Sequence, residues 1–309
     1  MKTRITQLLG IEHPIFQAAM SWASSNAPLV IAVSNAGGMG VLGAGPMRPE
    51  DFRAALAAIR AGTPKPYGVN IPLNGARAKE LLDIAYEARI PVMVASQGGP
   101  REQLPRFRAI GTKWLHVVAS VEHAKKAEAA GVDALVVDGG EAGGHPPPSS
   151  VGTIVLVRRI VRATRLPVVA SGGVADGAGI AALLALGAEA VQLGTRFIAT
   201  PEASVHENYK RAVLAADVED TCLVGPTALP IRQLKNAFTR KFEAATPAER
   251  DALFQATSLK KAALEGDVEW GKVEAGQSAG LVDEILPAAE VMQRLVRELE
   301  EARRRLASL

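Results

Sequence analysis

The segment DGGEAGGHPPP (138–148) brings Asp138, Glu141 and His145 together among four glycines and three prolines. A histidine just past a buried apolar run suits general acid or base work near neutral pH. Gly143 and Gly144 allow the backbone to approach a flat ligand, and Pro146–Pro148 stiffen the chain beyond the histidine. A metal site there would need two or three further ligands, and neither HxH nor HExxH spacing occurs. A purely structural histidine is the remaining alternative. Two more loops are glycine-rich: Ser171-Gly172-Gly173 and Gly194-Thr195. Their N–H groups and the Thr hydroxyl suit phosphate oxygens, the alternative being tight turns without a ligand. Asn70 ends an apolar run, and its amide can both donate and accept at the edge of a heterocycle. Gln17 and Met20 suit contact with a flat ring, and Trp22 suits the wall of a pocket.

Other reactive side chains carry weaker signals. His13 precedes a proline and reads as structural. His116 lies within an apolar run and faces the core or a cofactor, while His123 lies on a helix. His206 opens a charge-rich stretch and is placed to reach a pocket mouth. Cys222 has no local base to activate it, and no GxSxG serine motif occurs. The GAGP segment (43–46) lacks the third glycine and the acidic partner of a dinucleotide site, and no Walker A sequence is present.

These loops need a scaffold of 309 residues to position them. Apolar residues make up 48% of the chain and the net charge is +3, which excludes extensive disorder and gives no nucleic-acid footprint. No uncharged apolar stretch is long enough to cross a membrane, and no apolar leader follows Met1. The single cysteine excludes an internal disulfide. A cytoplasmic protein is expected. Short apolar runs recur at 14–17, 39–43, 67–71, 91–95, 114–118, 134–138, 167–171 and 190–194. Helix-like segments lie between them, as at 49–61, 121–131, 151–164 and 176–187. Eight such units favour a closed (β/α)8 TIM barrel over an open doubly wound sheet. The site then lies at the C-terminal ends of the strands, where all the loops above emerge. The rhythm breaks after Thr200. Residues 1–205 plus 276–309 are expected to form the barrel, and 206–275 a small helical insertion, without a clear strand, that covers its mouth. A charged amphipathic helix is expected over 285–306.

The segments GIEHPIFQAAM (10–20), NAGGMGVLGAG (35–45), GVDALVVDGGEAGGH (131–145), VVASGGVADG (168–177), AVQLGTRF (190–197) and AGQSAGLVDE (275–284) resemble the FMN-dependent 2-nitropropane dioxygenase, or nitronate monooxygenase, family. That family includes NADH:quinone reductases and an FMN-dependent enoyl-acyl-carrier-protein reductase branch. The resemblance implies an FMN phosphate held by Gly172, Gly173, Gly194 and Thr195, and ring contacts from Ala19, Met20 and Asn70. It implies Gly144 beside the flavin, His145 as the catalytic histidine, and Gln277 and Ser278 on a segment returning to the cofactor, with no metal. The activity implied is oxidation of alkyl nitronates by O2 to carbonyl compounds and nitrite. The alternative is NAD(P)H-dependent reduction of enoyl thioesters or quinones. Segments 1–17, 234–243 and 266–282 look like the enoyl reductase branch. SQGGP (96–100) departs from the Thr-Gly or Ala-Gly-Asn turn of many relatives, and no Lys follows the run at 114–118 as in the quinone reductases. A small-molecule substrate, no nucleic acid and no membrane are the expected partners, with a homodimer as the assembly considered. Outside the family, a phosphate-binding barrel lyase or isomerase shares the glycine loops.

Overall fold

The computed structural model describes residues 1–308. Eight short strands pair in parallel and close on themselves. They are β1 (Ile15–Gln17), β2 (Met39–Gly43), β3 (Gly68–Pro72), β4 (Val92–Ser96), β5 (Lys113–Val118), β6 (Ala134–Asp138), β7 (Val168–Ser171) and β8 (Ala190–Leu193). Closure is made by β8 against β1, with Gln192 opposite Phe16. The eight apolar runs of the sequence therefore become the eight strands, within a residue or two at each end. The closed order also decides against the open sheet, which hydrophobic period alone does not distinguish.

Alternate residues of each strand face two different cores. Phe16, Met39, Val41, Val92, Val94, Leu115, Ala134, Val136, Val169 and Ala190 form one buried cluster inside the barrel. Helix α1 (Arg4–Leu9) contributes Ile5 and Leu9 to the same cluster. The opposite faces of the strands pack in a larger cluster with the surrounding helices. These are α2 (Ala27–Asn35), α3 (Pro49–Gly62), α4 (Ala78–Glu87), α5 (Leu104–Ala109), α6 (Val121–Ala130), α7 (Thr153–Val161) and α8 (Gly177–Ala185). Local signals fix their ends: Ser120 caps α6 through the His123 N–H, and Gly131 closes it in the left-handed region.

A four-residue helix α9 (Thr195–Ile198) comes after β8, then α10 (Glu207–Ala215). Next comes an antiparallel hairpin of β9 (Thr221–Val224) and β10 (Ile231–Leu234), with Cys222 opposite Gln233. Helices α11 (Ala237–Ala244), α12 (Pro247–Gln255) and α13 (Leu259–Ala263) complete the stretch. Val224, Ile231, Phe238 and Phe242 form a small separate core under it. The hairpin corrects the expectation of a strand-free stretch: TCLV and IRQL are too short, and IRQL too polar, to show a strand period. A 3-10 turn (Gln277–Leu281) and the long helix α14 (Ala288–Ala307) end the fold. Helix α14 lies against α8 so closely that a Cβ on Gly177 would stand 2.2 Å from the Leu299 nitrogen. Among the described residues no helix is long and apolar enough to cross a membrane.

Candidate active site

The apolar filling of the barrel stops one layer short of its C-terminal end. Asp138, Ser171 and Gln192 are register partners on β6, β7 and β8, and strand parity turns all three inward. Gln192 Nε2 donates to Ser171 Oγ at 3.3 Å, and Ser171 also hydrogen-bonds the Asp138 carboxyl. Burial pushes that carboxyl up to about 6, against the opposing pull of the Ser171 bond. Across the barrel, Asn70 Nδ2 donates to Val94 O at 2.8 Å and to Ser96 Oγ at 3.2 Å. The amide plane of Asn70 is thereby fixed. A polar floor thus lies above an apolar plug. The Gln192 Oε1 oxygen is buried there without a hydrogen-bond partner, an arrangement that costs free energy unless a ligand supplies a donor. Sequence reasoning singled out Asn70 and Asp138 of this layer, named Ser96 and Ser171 only as members of loops, and gave Gln192 no role. The available signal was a polar residue at or near the end of five apolar runs.

The loop after β6 separates the three residues that the sequence had brought together. Asp138 points into the floor. The Glu141 carboxylate accepts from the Thr153 N–H at 2.8 Å and its Oγ1 at 2.6 Å, so it ties the loop to the start of α7. His145 stands exposed in the mouth. Desolvation, with the Lys272 charge second, lowers its pKa below the ordinary histidine value. The imidazole is therefore neutral at pH 7. Gly144, with φ +73°, makes the turn that presents it. Gly144 also exchanges backbone hydrogen bonds with Arg232 of β10. The Arg232 side chain adds bonds to Gly140 O at 3.0 Å and Thr221 Oγ1 at 2.9 Å.

The glycine loops after β7 and β8 face this segment. Gly172 and Gly173 both adopt positive φ, +105° and +69°. A Cβ on Gly172 would stand 2.8 Å from Thr153 Oγ1. The Thr195 hydroxyl accepts from the Gly276 N–H at 2.9 Å, and the Gln277 N–H donates to Glu141 O at 3.0 Å. The structure thus brings Gly172, Gly173, Gly194, Thr195, Gly144 and Gln277 to one end of the barrel. Ser278 is buried beside Gln277. Met20 shares a corner with Gly194, where an added Cβ would lie 3.6 Å from Met20 Sδ. Ala19 is partly buried against the inner cluster. Three of the four non-glycine residues with positive φ, Trp22, Gln97 and Ser150, lie in rim loops of this same end, as strained backbone at functional sites does.

Several sequence candidates lie elsewhere in function or in space. Gln17 is fully buried, and its amide bonds both Val41 N and Val41 O at 3.1 Å. It extends the β1–β2 ladder rather than facing a ring. His116 takes the outward parity of β5, opposite Ala95 and Leu135, and lies in the helix layer. His206 caps α10, its Nδ1 accepting from the Asn208 N–H at 3.1 Å, and its ring packs on Gly266. Trp22 is half-buried against the outer core. Cys222 is half-buried in the hairpin, where burial raises its thiol pKa. Among the described residues no cluster of His, Cys, Asp and Glu has metal-binding geometry.

The family model described as Nitronate monooxygenase matches residues 2–298. A nitronate monooxygenase of Pseudomonas aeruginosa strain PAO1 is 36% identical, over 97% of this chain and 99% of its own. The structure of FabK from Thermotoga maritima superposes with a TM-score of 0.94 at 41% identity, covering 100% of this chain and 99% of that one. The structure of a nitroalkane oxidase from Streptomyces ansochromogenes superposes with a TM-score of 0.86 at 32% identity, covering 98% and 100%.

Proposed function

The chain belongs to the nitronate monooxygenase family, and from that premise we propose that it oxidises alkyl nitronates with dioxygen to carbonyl compounds and nitrite, using bound FMN. Members of the family are flavin enzymes. The observation that carries the reading to this site is the polar floor under a glycine-lined rim. An unpartnered Gln192 Oε1 suits the N–H edge of a flavin ring. The residues present therefore fit the group. Gly172, Gly173, Gly194 and Thr195 would hold its phosphate, and Ala19, Met20, Asn70 and Gly144 would flank its ring. When bound, the flavin supplies the electron-accepting ring and the reactivity toward dioxygen.

The chain's own residues do the rest. Neutral His145 can donate one ring N–H to a nitro oxygen and fix the nitronate by a charge-assisted bond. If the substrate arrives as the neutral nitroalkane, the other ring nitrogen accepts the proton from its α-carbon. Residues 206–275 cover the mouth and exclude water from it. The hairpin fixes the height of His145 through the Arg232–Gly144 pair.

A second reading keeps the site and changes the substrate. The resemblance of segments 234–243 and 266–282 to the enoyl reductase branch favours hydride delivery from NAD(P)H to an enoyl thioester, with His145 holding the thioester carbonyl. The test is anaerobic mixing of FMN-loaded protein with NADH, with NADPH and with an alkyl nitronate, while flavin absorbance is recorded. Bleaching by the nitronate alone, with nitrite released in air, supports the first reading. Rapid bleaching by either nicotinamide supports the second.

A further inference from the structure

The segment that returns to the site after α13 carries alternating side chains. Val273 and Ala275 enter the main core, and Lys272 and Glu274 face the other way. Lys272 is spent on the insertion: its Nζ donates to Phe254 O at 2.9 Å and sits 3.3 Å from the centre of the Phe254 ring. Glu274 is different. Its Oε2 lies 3.2 Å from the point where a Cβ on Gly144 would stand, next to His145 in the chain. Among the described residues no side chain or N–H group bonds its carboxyl; desolvation and the Lys272 charge are the influences on it. A half-buried, desolvated carboxyl left unpaired beside the turn that presents His145 is a functional-site signature rather than a stabilising contact.

We propose that Glu274 selects ligands by charge: protonated, it hydrogen-bonds an oxygen of the bound anion, and ionised, it repels anions from the mouth. The inference deepens the nitronate reading, because a nitronate carries its negative charge on the oxygens that His145 would hold. Burial raises the Glu274 carboxyl to about 7, so both forms are populated across the neutral range. The other charged groups facing it are accounted for. His145 titrates below the ordinary range. Tyr209 of α10 donates its hydroxyl to the Glu274 carbonyl at 2.8 Å and titrates well above 10. Arg232 of β10 is held by Gly140 and Thr221, and Glu141 by Thr153. His145, Tyr209 and Arg232 keep their charge between pH 7 and pH 8.

The test uses FMN-loaded protein and nitrate, a planar oxyanion whose charge is constant with pH, with acetamide as the neutral control. Binding is read from the flavin difference spectrum at pH 7 and pH 8, where Asp138 of the floor, at about 6, is already largely ionised. If only the protonated carboxyl admits the anion, the nitrate Kd rises about fivefold over this interval, and the acetamide Kd does not. Glu274→Gln, which keeps a donor without the charge, makes the nitrate Kd flat and no higher than the wild-type value at pH 7. A flat wild-type profile, the same slope in Glu274→Gln, or no nitrate binding by either protein overturns the proposal. Should Glu274→Gln not take up FMN, the wild-type contrast between nitrate and acetamide decides it. Nitrite release from an alkyl nitronate, measured in parallel, reports separately on the reaction assigned to the site.

Discussion

Arg232 and Gly144 exchange backbone hydrogen bonds of 2.7 and 3.1 Å, so the second strand of the insertion is joined to the residue that presents His145. The hairpin sits more than eighty residues further along the chain, yet it fixes the loop that carries His145 as a neighbouring strand fixes an edge. Arg232 strengthens the link with its buried side chain. Arg232→Ala leaves Gly140 O without that donor and frees Thr221, which costs about 1–3 kcal/mol. The expected result is a lower melting temperature together with a fall in kcat, because His145 loses its fixed height. A variant that melts earlier but turns over nitronate at the wild-type rate would separate the clamp from catalysis.

His145 gives a pH prediction with a definite sign. Desolvation and then the Lys272 charge lower its pKa, so the neutral form is present above a value below 6.5. For a neutral nitroalkane, kcat/KM therefore climbs with pH on an acid limb whose midpoint lies below the ordinary histidine value. His145→Ala removes that limb and lowers turnover by roughly 10²–10⁴-fold, while the flavin remains bound. Lys272→Met shifts the limb upward, since one of the two influences depressing the pKa is gone. An acid limb that survives in His145→Ala would assign the titration to another group.

Asp138 should make stability depend on pH. Its folded carboxyl titrates at about 6, above the usual carboxylate value, because the charged form is desolvated in the floor. The protonated form folds without this penalty at pH values below the unfolded pKa. The penalty grows as pH rises through the interval up to about 6 and is then complete, at roughly 2–3 kcal/mol. Asp138→Asn removes the charge and keeps the shape. Thermal melts should show the variant gaining on the wild type as pH is raised from 4 to 7, with no further gain above that. A constant difference across this range would mean that the floor already solvates the carboxylate.

The barrel was legible because its strands are short, mostly apolar runs rich in Val, Ile, Leu and Ala, and eight of them recur with helical periods between. His145 and the glycine loops stood out because unusual composition is concentrated at those strand ends. The floor was harder to read. Ser171 and Gln192 look like ordinary strand residues until closure of the sheet makes them neighbours of Asp138 in one row. Gln17 misled in the opposite way, since a polar residue beside a site-forming loop reads as a ligand. Its amide instead replaces a ladder bond between β1 and β2. Glu274 gave no signal at all. In KVEAGQS it is one of two charges, and only the return of the chain past Gly144 distinguishes it from a solvated residue.

Gly276 offers a test of the returning segment itself. Its φ of −83° suits any residue, so the need for glycine is one of space. A Cβ there would stand 2.7 Å from Glu141 O, 3.0 Å from Gly143 N and 3.4 Å from Thr195 Oγ1. The first two are backbone atoms of the loop that leads to His145, and they cannot yield without moving that loop. Gly276→Ala should therefore lengthen both the Gly276–Thr195 and the Gln277–Glu141 bonds and pull Thr195 away from the corner proposed to hold the FMN phosphate. Overpacking of this kind costs about 1–3 kcal/mol. The expected outcome is weaker FMN binding by equilibrium dialysis, by about tenfold for each 1.4 kcal/mol that falls on the bound state. Gly99→Ala is the matched control, because a Cβ there meets nothing within 4 Å. Equal FMN affinity in the two variants would mean that residues 275–278 close the barrel without shaping the cofactor's pocket.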